Sequence, residues 1–307
     1  MDTFTQLTLN GLTLGSIYAL IALGYSLVYG ILKLLNFAHG DVFMVGTFIG
    51  FGTLRVLGGS INPVVPVWLV LILITLAAMA GCAALGIVIE RFAYRPLRDA
   101  PRIAPLISAL GVSFFIAYSV QLLFGADLKN YDTFSMDGGA LYFDGFDIGN
   151  VRVPLVRIII IVAAFVMMVG LWLLVTRTRI GKAMRATSHD REAAAMMGID
   201  IDKVIVFAFA LGSALAGAAG VLFALRIPTY ATIGFLIGLK GFTAAVIGGI
   251  GSIPGALAGG LVLGFAESFT QGYVSTRWSD LFVFLLLIGF LLFRPQGILG
   301  KADIRKV

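Results

Sequence analysis

Few ionisable or strongly polar residues fall inside the long apolar stretches of this chain, and those few define the chemistry open to it. They are Asn36, His39 and Asp41 in the stretch LLNFAHGD, Lys240, and Glu267. A charge at membrane depth is costly, so each points by default to a path for cargo. Each also has a plainer role: Asp41 can cap a helix, Lys240 can reach back to the surface along its stem, and Glu267 can lie near a hydrated edge. Bond-making chemistry has no such candidates. The two histidines, His39 and His189, have no carboxylate or cysteine at metal-ligand spacing, and Cys82, the single cysteine, lies in an apolar run. The sequence contains neither a nucleophile elbow nor a Walker-type phosphate loop. GGIGSIPG lacks the adjacent Lys-Ser/Thr pair that would hold a nucleotide's phosphates and magnesium, and it reads as a tight turn between helices. The energy for any work must come from another chain or from an ion gradient.

A second group of residues is polar by contrast. The segment 177–203, RTRIGKAMRATSHDREAAAMMGIDIDK, lies between two long apolar runs and carries six basic and four acidic residues. Ser188 or Asp190 can cap a short helix there, which Ala193 to Ala195 and two methionines continue and Gly198 can end in the left-handed conformation. Asp200 can cap the helix that re-enters the apolar region. A short helix with both ends specified and an alanine face is shaped to seat in a groove on another protein.

The elements that must hold these residues are apolar spans. At 59% hydrophobic and 12% charged, the chain lies outside the range of soluble domains and reads as an all-α polytopic membrane protein. Eight or nine runs are long enough to cross a bilayer, whole or as a broken helix: 12–35, 42–57, 64–89, 103–124, 154–176, 204–225, 233–250, 256–269 and 281–293. A discontinuity is expected near 36–41, because non-helical backbone at membrane depth survives only where it is buried in protein or lines a watery cavity. The N-terminus lacks the basic n-region of a signal peptide, so the first span is expected to stay uncleaved.

Segments 90–103, 177–203 and 294–307 hold 4, 6 and 4 of the 22 basic residues, and alternation of the spans puts all three on one face. The positive-inside rule makes that face cytoplasmic, which accounts for the net charge of +6 without nucleic acid. The aspartate-rich segment 125–153 then lies outside, as does the N-terminus if LLNFAHG marks a full crossing. Ser213 with Gly217, Ala216 with Gly220, Gly255 with Gly259 and Gly260 with Gly264 form small-residue faces of the kind that let helices pack closely.

Glu192, Ala193, Ala194 and, after three residues, Gly198 resemble the EAA-x-x-x-G signature of ABC importer permeases. Together with GLTLGSIYALIALGYSLVYGILKLLNFAHGD, ERFAYRPLR, RTRIGKAMRA and FTAAVIGGIGSIPGALAGGLVLGFAE, the pattern is similar over nearly the whole chain to the LivH-type permeases of branched-chain amino-acid ABC importers. The resemblance implies a non-catalytic subunit of the bacterial inner membrane, a single permease domain over 1–307. Its expected partners are a second, homologous permease, two ATPase subunits that use ATP and magnesium, a periplasmic binding protein and membrane lipid. No cofactor is expected in this chain. Glu192, Ala193, Ala194 and Gly198 would belong to a cytoplasmic coupling helix within 177–203, with Arg185 among the arginines that can meet an acidic rim. The cargo would be leucine, isoleucine or valine, moved by alternating access. Urea or a short amide is the alternative cargo, and a secondary transporter driven by an ion gradient the alternative class.

Overall fold

The computed structural model describes residues 2–57, 67–98, 100–101, 103–131, 145–148 and 151–300. With no water in the hydrocarbon core, each apolar run must satisfy its backbone internally, and each becomes a helix. The helices are α1 (Asp2–Leu32), α2 (His39–Val56), α3 (Val67–Ile89), α4 (Ile103–Phe124), α5 (Leu155–Arg177), α6 (Arg179–His189), α7 (Arg191–Met196), α8 (Ile201–Ala224), α9 (Ile233–Gly248), α10 (Ile253–Tyr273) and α11 (Ser279–Phe293). Among the described residues, seven spans are long and apolar enough to cross a membrane: α1, α3, α4, α5, α8, α10 and α11. The fold is all-α and polytopic, and the nine expected runs are α1–α5 and α8–α11. A short antiparallel hairpin, β1 (Gly145–Ile148) with β2 (Val151–Pro154), closes the segment expected as an external loop, and positions 132–144 of that segment lie outside the described residues.

Helices α1 and α8 form the centre and are buried along most of their length. Helix α1 packs along α10 and α8 along α3. The two central helices also pack on each other, and α2 lies against α3, α8 and α9 while α9 lies against α1, α2 and α10. Exchanging α1 with α8, α2 with α9, α3 with α10 and α4 with α11 maps this pattern onto itself, with the paired helices running in opposite directions. The bundle is an inverted repeat, and α5 stands outside it.

Small residues make the seams. Gly217 and Ser213 of α8 meet Cys82 and Gly86 of α3, and Gly220 meets Phe43 and Thr47 of α2. Gly255 and Gly259 of α10 lie against Gly248 and Ala244 of α9, while Gly260 and Gly264 on its other side lie against Ala19 and Gly15 of α1. All four of the small-residue pairs seen in the sequence pack inside the bundle. At the outside, α4, α5 and α11 present exposed Phe115, Leu122, Val166 and Leu292 to the surroundings.

Candidate functional site

Two helices start inside the bundle rather than at its ends. After α1, residues 33–38 turn back, and α2 begins with His39 packed against Gly24, roughly two turns within α1, where a Cβ would collide with the imidazole. After α8, the stretch 225–232 turns back from the opposite end, tied to Lys129 by paired backbone bonds from Thr229. The first turns of α2 and α9 then meet at Gly40, Gly234 and Gly238, so closely that a side chain at Gly40 would strike the backbone of Gly234. The discontinuity expected at 36–41 is present, and it has an inverted counterpart that the sequence reading passed over.

Asn36 and Asp41 of the first break have hydrogen-bond partners, whereas His39 Nε2 is buried without one. Asn36 accepts from Tyr94 through Oδ1 (3.1 Å), and its carbonyl accepts from the His39 N–H (3.1 Å). Asp41 accepts from Ser113 of α4 and borders Gly234 of α9, so one carboxylate sits beside the first turns of both broken helices. His39 meets the ring of Tyr25 edge-on at 4.6 Å. Beside this junction lies a cavity of about 20 Å³ lined by Tyr25, Ser113, Gly238 and Phe242, room for about one water.

Lys240 and Glu267 are brought together. The Lys240 ammonium lies 2.8 Å from Glu267 Oε1 and 2.7 Å from Asp280 Oδ1. Glu267 also accepts from the Tyr18 hydroxyl (2.7 Å) and from Gln271 (3.2 Å). Lys240 is buried, so it does not reach the surface along its stem, and the network links α1, α9, α10 and α11. Tyr18, Ser113 and Asp280 were not singled out in the sequence: a hydroxyl or a span-end aspartate has no distinctive spacing, and only the tertiary fold supplies its partner.

The polar segment is two helices, not one. Thr178 caps α6 by accepting from the Gly181 N–H (3.1 Å), a start that the spacing of Ile180, Met184 and Thr187 could have announced. Asp190 caps α7 (3.0 Å from Ala193 N), Gly198 closes it at φ +81°, and Asp200 caps α8 (3.1 Å from Lys203 N). Glu192, Ala193 and Gly198 face outward, whereas Ala194 is buried against the bundle. The exposed Arg185 donates to the Val175 carbonyl. Met196 and Met197, each 82% exposed, form an apolar tip beside Ala193.

Two anchors fix these helices to the spans. Arg191 donates to the Ile31 carbonyl at the end of α1 (2.8 Å). Asp202 at the start of α8 pairs with Arg95 and Arg98, and Arg98 also pairs with the buried Glu90. Glu90 and Arg95 belong to a π turn, Glu90–Tyr94, and a 3-10 turn, Arg95–Leu97, that extend α3, and Arg98 directly follows them. Burial and the nearby Arg98 charge lower the Arg191 pKa. The C-terminal segment returns to the same end of the bundle, where Ile298 and Leu299 donate to the carbonyls of Ile247 and Gly248 (2.8 and 2.9 Å).

Residues 7–291 match the family model described as branched-chain amino acid transport system / permease component. The chain is 43% identical over 305 residues to the high-affinity branched-chain amino acid transport system permease protein BraD of Pseudomonas aeruginosa, covering 99% of this chain and 98% of that one. It is 41% identical over 311 residues to the corresponding permease protein LivH of Escherichia coli, with the same shares covered. A probable branched-chain amino acid transport permease protein LivH of Methanocaldococcus jannaschii is 28% identical over 319 residues, covering 97% of this chain and 94% of that one.

Proposed function

We propose, since this chain belongs to the branched-chain amino acid transport system permease family, that it is one of two homologous permease subunits of an ATP-driven importer of leucine, isoleucine and valine. Two ATPase subunits on the cytoplasmic side use ATP and magnesium, and a periplasmic binding protein delivers the cargo to the opposite face. The chain itself makes and breaks no bond in the cargo. The observation that carries the reading is the tip of α7. A six-residue helix with a capped start and a glycine end carries two methionines exposed outside the apolar spans, where only another protein would cover them.

Glu192, Ala193 and Gly198, on the outer face of α7, are the residues that meet the ATPase, with Arg185 beside them on α6. Movement of α6 and α7 is passed to α1 through Arg191 and Ile31, and to α3 through Asp202, Arg95 and Arg98. The first route ends on α1, which leads into the first break, and the second ties α3 to the start of α8, which leads into the second, so a shift of the handle changes how α2 and α9 meet. The junction at Asn36, His39, Asp41, Gly234 and Gly238 is the element that opens first to one side and then to the other, with Lys240 and Glu267 holding the outer half of the bundle together. Replacing Met196 and Met197 together by Asp is expected to abolish co-purification of the ATPase subunits and ATP-dependent leucine uptake while the chain still inserts. Undiminished uptake by that variant, or by cells lacking the ATPase subunits, would remove the importer reading.

A further inference from the structure

A cavity of about 600 Å³ opens at the end of the bundle that carries α6 and α7, and its charged and titratable lining is Tyr29, Lys33, Arg98, His189 and Arg191. No carboxylate lines it among the described residues. The Arg98 charge is matched from behind by Glu90 and Asp202, and its Nε–H is buried without an acceptor. Lys33 and Arg191 have no carboxylate partner among the described residues, and Arg191 bonds only a carbonyl there. Lys33 also sits at φ +55°, a conformation that L residues rarely adopt, directly after α1. A strained non-glycine residue of this kind persists where its side chain has work at that point. Two cations without a carboxylate partner among the described residues thus face one roomy space, Lys33 lying 5.9 Å from the centre of the Tyr29 ring.

The surface beside the cavity says which anion fits. Pro105 of α4 lines the wall, and the same first turns of α4 expose Ile103 and Ile107, while Phe92 of the adjoining π turn is 74% exposed. A charged chamber at the level where spans end, continuous with an apolar face outside it, matches a molecule with an anionic head and hydrocarbon tails. Basic pockets between membrane helices take phospholipid headgroups in this way. We propose that this cavity holds the phosphodiester headgroup of an anionic phospholipid, with Lys33 and Arg191 as its charge partners and its acyl chains against Ile103, Ile107 and Phe92. Arg191 immediately precedes Glu192, so the bound headgroup steadies α7 on the end of α1.

The test is native mass spectrometry of the full-length chain, purified with whatever subunits accompany it and titrated with phosphatidylglycerol, phosphatidylcholine or inorganic phosphate. The wild type is expected to keep one phosphatidylglycerol per chain that excess phosphatidylcholine does not displace. Lys33→Gln and Arg191→Gln should each weaken that adduct roughly fivefold, and Lys33→Arg should restore it. Equal retention of both lipids by the wild type would overturn the proposal even if the variants failed to fold. Adducts unchanged in the double variant, or displacement of the lipid by millimolar phosphate alone, would overturn it as well. None of these readouts depends on transport or on the ATPase.

Discussion

Lys240 lies between a carboxylate that is almost wholly buried and one that is half exposed, and the two are not equivalent partners. An ammonium taken out of water needs its charge matched and its donors satisfied, and removing one member of such a pair strands the other. Glu267 would keep the Tyr18 and Gln271 donors after Lys240→Met, so the cost falls at the low end of that class, about 3 kcal/mol. Asp280→Asn removes a pairing open to water, worth under about 1 kcal/mol. Thermal unfolding of the purified chain in detergent should therefore show a large drop for Lys240→Met and a small one for Asp280→Asn. Lys240→Met combined with Glu267→Gln should recover part of the loss, and a drop in the double variant equal to the sum of the two single-variant drops would mean that the two residues are not coupled. At this scale the sequence showed both charges as costly at depth but not that they pair. They lie 27 positions apart on different helices, and no spacing rule joins them.

Helix seams set a sharper test. A Cβ at Gly259 of α10 would collide with the Ala244 carbonyl of α9, and the backbone on both sides is fixed by helix hydrogen bonds. Overpacking of this kind costs typically 1–3 kcal/mol, more where backbone must move. By contrast, Gly111 of α4 faces open space. Gly259→Ala is expected to lower the monodisperse fraction in fluorescence-detected size exclusion, and Gly111→Ala to leave it unchanged. A seam that tolerated Ala at 259 would mean that α9 and α10 separate more readily than their packing indicates. The same contrast explains what was legible among the elements. Nine apolar runs became nine helices, because hydrocarbon leaves a twenty-residue apolar segment no other way to bond its backbone. The second break, at 225–232, and the π turn at Glu90–Tyr94 were not legible. A shift in hydrogen-bond register, or a turn held in place by a distant loop as Thr229 is by Lys129, has no distinctive spacing. Gly40 and Gly234 show how the breaks are tolerated: with no side chains there, two helix starts fit where one would otherwise clash.

For the whole molecule, nine helices in an inverted arrangement put the first and last described residues at opposite ends of the bundle. Leu7, near the N-terminus, accepts from Ser268 through its carbonyl and packs on Gly272, far from the turn at Gly249–Ser252, while the described C-terminal residues fold onto that turn. The three basic segments meet where the sequence arithmetic put them: Arg98 beside Asp202, Arg191 on the end of α1, and residues 298 and 299 on the end of α9. Geometry alone says only that they share an end. The excess of arginine and lysine predicts that this end faces the cytoplasm. Cys82 has no exposed surface, so it contributes no background to thiol labelling. In right-side-out vesicles a membrane-impermeant maleimide should modify Asp127→Cys, whose side chain is 90% exposed just beyond α4, and should leave Met197→Cys untouched until the vesicles are permeabilised. The reverse pattern would turn the molecule over. It would then put the methionine tip of α7 beyond the reach of any cytoplasmic ATPase and leave the route from Arg191 to α1 with nothing to drive it.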